Sequence, residues 1–185
     1  NASVVSTAVA LLAFAASLWL TPRGLDAKAY YEILFWGGGH ALQFAWTLLM
    51  LVAWLWIASA IGARVPLSPR VALLMLALAL ASVFVTPYAY LAHDVASVEH
   101  RDLHTWAMRL GGGVSIVPIG LAVAMALVRS PRSTTPEHAP LRAALVASML
   151  LFAAGGVIGV FTSGPNVKIP AHYHGCIVGV TLALM

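Results

Sequence analysis

The chain has 185 residues, of which 61% are hydrophobic and 9% charged, with a mean hydropathy of +0.91 and a formal net charge of +4. Soluble domains carry roughly 25% charged residues, so this composition excludes a water-soluble globular protein, and no nucleic-acid partner is expected. A single cysteine, Cys176, excludes a disulfide framework; inside an apolar run it reads as buried packing.

Six apolar segments stand in chain order, at about 2–20, 30–62, 69–92, 102–129, 139–163 and 169–185. Each is near or above the roughly 20 residues that cross a hydrocarbon core of ~30 Å, the last being short. The expectation is an all-α polytopic transmembrane bundle of about six helices, one domain over 1–185. The breakers "TPRG", "RVPLSPR", "RSPRSTTPEHAP" and "TSGPN" supply the Pro, Gly and Ser that end helices. The first segment has no basic region ahead of it, so a signal peptide is not expected. A start at Asn1 and a stop inside an apolar run read as a fragment of a longer chain.

Loop charge sets the expected orientation. The connections at 63–70 and 129–142 hold Arg64, Arg70, Arg129, Arg132 and Arg142 against one acid, Glu137, whereas Asp26, Asp94, Glu99 and Asp102 lie at the other side. Positive-inside bias then puts the arginine loops in the cytoplasm. His40, His93, His172 and His174 share the outer third of the membrane in that frame. His100 and His104 come next, in the outer loop and the start of the next helix, and His138 lies in a cytoplasmic loop.

Ionisable side chains in membrane spans are costly and mark cavities, cofactors or ion paths. Imidazole is also the usual ligand of protein-bound iron and copper. In "PAHYHG", 170–175, the two histidines are two positions apart, about 200° around a helix, so His172 and His174 face opposite sides. They suit two separate hemes better than one ion. In "WGGGHALQF", 36–44, Gly37, Gly38 and Gly39 precede His40 and read as clearance for a macrocycle, with tight helix packing as the alternative. A second triplet stands at Gly111, Gly112 and Gly113.

These motifs resemble the catalytic subunit of the heme-copper oxidase superfamily, which contains oxygen reductases and nitric oxide reductases. The resemblance covers nearly the whole chain, matching helices five to ten of a subunit of about twelve. "IPAHYHG" is similar to the family's His-x-His motif. It implies His172 as proximal ligand of a high-spin heme and His174 as an axial ligand of a low-spin heme. "FWGGGHALQF" resembles the sixth-helix motif and implies His40 as ligand of a non-heme metal, copper or iron. "TPYAYLAHD" resembles the end of the seventh helix, where the family has two adjacent histidines. Here the pair is Ala92-His93, so a third imidazole would come from His100 or His104.

The family's tyrosine four residues after the sixth-helix histidine is Phe44 in this chain, and Tyr88 and Tyr90 are the candidate substitutes. Beyond Glu32, Asp94 and Asp102 the spans carry no carboxylates, which speaks for proton uptake from outside. The resemblance implies a membrane oxidoreductase that reduces a diatomic gas, nitric oxide being favoured. His172, His40 and His93 would be catalytic, and electrons would enter through the heme on His174. The alternatives are a terminal oxygen reductase, a heme-binding electron-transfer homologue without the second metal, and non-heme transport. The implied partners are membrane lipid, a cytochrome c, cupredoxin or quinol donor, and a smaller redox subunit. The implied location is a bacterial inner membrane with the metal site near the periplasmic side.

Overall fold

The computed structural model describes residues 1–130, 135–162 and 168–185, and all the regular structure in them is helical. The elements are α1 (Ala2–Leu20), α2 (Ala27–Ala60), α3 (Pro69–Val83), α4 (Val85–Ala92), α5 (Val98–Trp106), a π-helical turn (Ala107–Gly112), α6 (Gly113–Arg129), α7 (His138–Val160) and α8 (Lys168–Leu184). Five rods are long and apolar enough to cross a membrane: Ala2–Leu20, Ala27–Ala60, Pro69–Ala92, Val98–Arg129 and His138–Val160. The 17 residues of α8 reach about 26 Å at 1.5 Å per residue. The protein is therefore an all-α transmembrane bundle. Arg132 and most of "TSGPN" lie outside the described residues, as does the expected end of the fifth span at 163.

Helix ends differ from the expected ones where polar residues carry the signal. Asp26 starts α2 by accepting the Lys28 and Ala29 amides on Oδ1 at 3.0 and 3.1 Å, three residues ahead of the expected start at 30. At its other end Gly62 takes φ +75. Its amide reaches Ser59 O at 3.0 Å and that of Ala63 reaches Ala58 O at 2.9 Å. That pair of bonds is a Schellman stop, and it ends the helix at Ala60. The single segment expected over 69–92 is interrupted at Phe84. Pro87 is the cause, since its ring displaces the carbonyl four residues back, on Val83, the last residue of α3. Ser97 Oγ accepts the His100 amide at 3.2 Å and starts α5 at Val98 rather than 102.

By its contacts the chain divides into two compact units. The first comprises Asn1–Leu48 and Ser68–Pro118, the second Leu49–Leu67 and Ile119–Met185. In the first, α1 buries Ser6, Ala10, Ala13 and Ser17, a stripe of small residues that brings it against α3 and α4. Its other faces leave Leu11, Leu12, Leu18 and Trp19 exposed, as lipid contact requires.

The second unit is built on α7 and α8. A Cβ on Gly155, Gly175 or Gly179 would strike backbone of the facing helix, so these positions permit the close approach. Ser148 Oγ locks it, donating to Gly179 O at 2.6 Å and accepting from Trp54 Nε1 at 2.8 Å.

Candidate functional site

In the first unit three imidazoles and a phenol meet. His40 comes from α2, Tyr90 from α4, and His100 and His104 from successive turns of α5. Ring centroids are 4.7 Å apart for His100 and His104, 6.0 Å for His40 and His104, and 4.7 Å for Tyr90 and His100. His100 and His104 are 2% and 1% exposed, a depth that is rare for histidine without a partner or ligand. The Tyr90 hydroxyl stands 2.5 Å from Ser17 Oγ of α1.

Backbone contacts decide which ring nitrogen is free. His40 Nδ1 is 2.7 Å from Trp36 O, and His104 Nδ1 is 2.8 Å from His100 O. A carbonyl only accepts, so each Nδ1 carries the hydrogen and each neutral ring keeps its lone pair on Nε2. His100 Nδ1 is buried and without a partner. His104 Nε2 is likewise buried and without a partner. Such orphaned buried nitrogens are uncommon and call for a cause.

The glycines around His40 serve packing. A Cβ on Gly37 would collide with the Tyr90 ring and one on Gly38 with Phe14, while Gly39 faces open space. The clearance read from the triplet is thus taken by protein side chains at two of its three positions. Gly111 gives the same kind of clearance to Ser82 of α3. His93 caps the end of α4, half-buried, with its ring edge-on to Tyr88 at 6.3 Å. Phe44 is buried at 3% exposure and offers no polar atom.

Near Trp36 a cavity of about 170 Å³ is lined by Glu32, Val95, Ser97 and Arg101 among others. Organic ligands occupy roughly 300–1,000 Å³, so this cavity is too small for a macrocycle. Arg101 pairs with Glu32 and stacks on Trp36, whose Nε1 donates to Arg101 O at 3.3 Å.

In the second unit His172 and His174 leave α8 in different directions. His172 is half-buried against α7, its ring over Gly159, where a Cβ would strike it, and its Nδ1 2.7 Å from Gly155 O. His174 is exposed, with Nδ1 2.7 Å from Pro170 O in its own helix. Both rings therefore carry hydrogen on Nδ1 and a lone pair on Nε2, the form that binds metals. Cys176 is half-buried, with its sulfur 3.7 Å from His172 Nδ1. His138 begins α7.

Among the described residues no three His, Cys, Asp or Glu side chains are placed to hold one metal ion. The donor chemistry of His172 and His174 fits axial ligation of heme, one imidazole per iron. In the first unit the structure joins His40 to His100 and His104, while the His93 ring lies against Tyr88. The pairing of His100 with His104 was present in the sequence as "HRDLH", a spacing of four that puts two imidazoles on one helix face.

No protein-family model matches the chain, and no solved structure matches it. It is 27% identical over 186 residues to an uncharacterized protein of Rickettsia prowazekii, covering 87% of this chain and 36% of that one. It is also 27% identical over 187 residues to an uncharacterized protein of Aquifex aeolicus, covering 100% of this chain and 44% of that one. The chain thus spans less than half the length of either relative.

Proposed function

We propose that this chain is the heme-binding part of a membrane oxidoreductase of the heme-copper type, acting on a diatomic gas. The observation that carries the reading is the matched state of His172 and His174. Each gives its Nδ1 hydrogen to a main-chain carbonyl at 2.7 Å and keeps Nε2 for a ligand, and the two rings point away from each other. Carbonyl pairing of this kind orients a ligating imidazole and raises its basicity. His172 would hold the high-spin heme and His174 the low-spin heme, with His40 as a ligand of a second metal, copper or non-heme iron. When bound, these groups supply the redox chemistry.

The remaining work falls to the chain's own residues. Gly159 makes room for the His172 ring, and Gly155 O fixes its tautomer. Tyr90 and Ser17 are hydrogen-bonded through their hydroxyl oxygens at 2.5 Å, and either can donate. Nitric oxide is the favoured substrate because Phe44 stands where oxygen-reducing members of the family carry a tyrosine. Oxygen is a second reading, favoured by the position of Tyr90 against His100. A cytochrome c, cupredoxin or quinol would donate electrons, with a smaller redox subunit as partner. The bacterial inner membrane is the proposed location, with the metal site near the periplasmic side.

The test is the optical spectrum of the full-length protein purified from membranes, in reduced and oxidised states. Two heme signals are expected. His174→Ala should remove the low-spin bands alone and His172→Ala the high-spin bands alone. Absence of heme, or two hemes retained in both variants, overturns the reading. Consumption of nitric oxide against oxygen, with a chemical reductant, separates the two substrates.

A further inference from the structure

We propose that the cleft between α2 and the start of α5 in the first unit binds one phosphatidylethanolamine of the surrounding membrane, with its phosphate on Arg101 and its ammonium on Glu32. The two side chains form an ion pair, yet they stay 44% and 45% exposed. A guanidinium has five N–H donors and a carboxylate about four acceptor sites, so the single bond between them leaves most of both unused. Donors and acceptors of opposite charge therefore stand side by side at a cavity of about 170 Å³ that both residues line. That pair is the complement of a group carrying a phosphate and an amine a short distance apart.

The depth is that of a headgroup. Glu32 and Arg101 lie near the starts of the spans Ala27–Ala60 and Val98–Arg129, about 8 and 5 Å in at 1.5 Å per residue. Trp and Tyr concentrate at the same level of a membrane. Trp36 lines the cleft, its Nε1 donating to Arg101 O at 3.3 Å. Tyr31 and Phe35, stacked at 6.1 Å and 56% and 55% exposed, flank Glu32 along α2 and offer an apolar track to acyl chains. Arg101 is oriented in advance, since its Cζ stands 4.5 Å from the centre of the Trp36 ring, so less side-chain freedom is lost when phosphate arrives.

The same geometry selects among headgroups. Phosphatidylglycerol would set its negative charge beside the Glu32 carboxylate with no amine to answer it. Choline has no N–H to donate, and quaternary ammonium is held by open aromatic faces. Trp36 has little face to offer, because Arg101 lies over it and the His40 ring packs against it at 4.6 Å. A primary ammonium, with three donors, meets Glu32 directly.

The test is native mass spectrometry of the full-length protein in detergent, with equimolar phosphatidylethanolamine, phosphatidylcholine and phosphatidylglycerol of identical acyl chains. Phosphatidylethanolamine should be retained at least tenfold over either competitor, and retention should fall stepwise as its amine is mono-, di- and trimethylated. Arg101→Gln should abolish the preference. Glu32→Gln should keep a lipid bound but lose the discrimination against phosphatidylglycerol; this isosteric change, checked by unaltered elution on size exclusion, decides the matter if Arg101→Gln fails to fold. Equal retention of the three lipids by the unsubstituted protein overturns the assignment, as does a preference unchanged in Glu32→Gln. Displacement of the lipid by soluble phosphoethanolamine at equal concentration overturns it too, because the acyl chains would then contribute nothing.

Discussion

The two units treat histidine in opposite ways. In the first, His100 and His104 are almost completely buried and lie ring against ring with His40 and Tyr90. In the second, His172 rests half-buried on α7 and His174 stands exposed, bonded at Nδ1 within its own helix. His40, His104, His172 and His174 share one device, a main-chain carbonyl at Nδ1, whereas His100 leaves its Nδ1 buried without a partner. The difference lies in what the remaining nitrogens face. In the first unit two of them are buried without a partner; in the second the two rings diverge, one against α7 and one exposed.

The comparison is broken most severely by filling the hollow under His172. Gly159→Leu puts a side chain where that ring lies, and the high-spin heme bands should disappear while metal binding at His40 persists. Gly37→Leu does the reverse. It displaces the Tyr90 ring, and metal affinity at His40 should fall at least tenfold with both heme signals intact. A change in both signals from either substitution would mean that the units are not chemically separate.

Smaller effects sharpen the contrast. Ser148→Ala removes both bonds that join Trp54 to α8 and should cost about 1–2 kcal/mol, read as a lower thermal midpoint in detergent. Tyr90→Phe loses only the bond to Ser17 and should cost about 0.6 kcal/mol, with metal stoichiometry unchanged. The smallest change is expected for Glu32→Gln. Its pair with Arg101 is about half exposed, and such pairs contribute roughly 0–1 kcal/mol.

Much of the bundle was legible because membrane spans are written in composition. Runs of Leu, Ala and Val placed the rods to within a few residues. The boundaries that moved are those set by single polar or cyclic residues: Asp26 and Ser97 as caps, Gly62 as a stop, Pro87 as a break. The divergence of His172 and His174 arises from a spacing of two on any helix. The cluster was harder to see. "VEHRDLH" reads as a polar loop on a hydropathy scale, so the start of α5 and the burial of its two imidazoles were hidden in the same seven letters. The glycine triplet is ambiguous for a different reason. Absence of a side chain states that something comes close, and Tyr90 and Phe14 answer to it as well as a macrocycle would.

The π-helical turn at Ala107–Gly112 resets the register of the rod that contains it. Its bonds close from i to i+5, so it takes up one residue more than an α-helical turn and rotates the downstream positions by about 100°. Ahead of it the buried positions run 100, 104; its last two residues, 111 and 112, are buried, and beyond it burial resumes at 115. Two adjacent buried glycines mark the point where one register hands over to the other. The second triplet then acts as a spacer whose length matters more than its smallness. Deleting Gly112 should close the π turn into plain α-helix while Ser115 stays in line with the histidines, and replacing it by alanine should keep the turn.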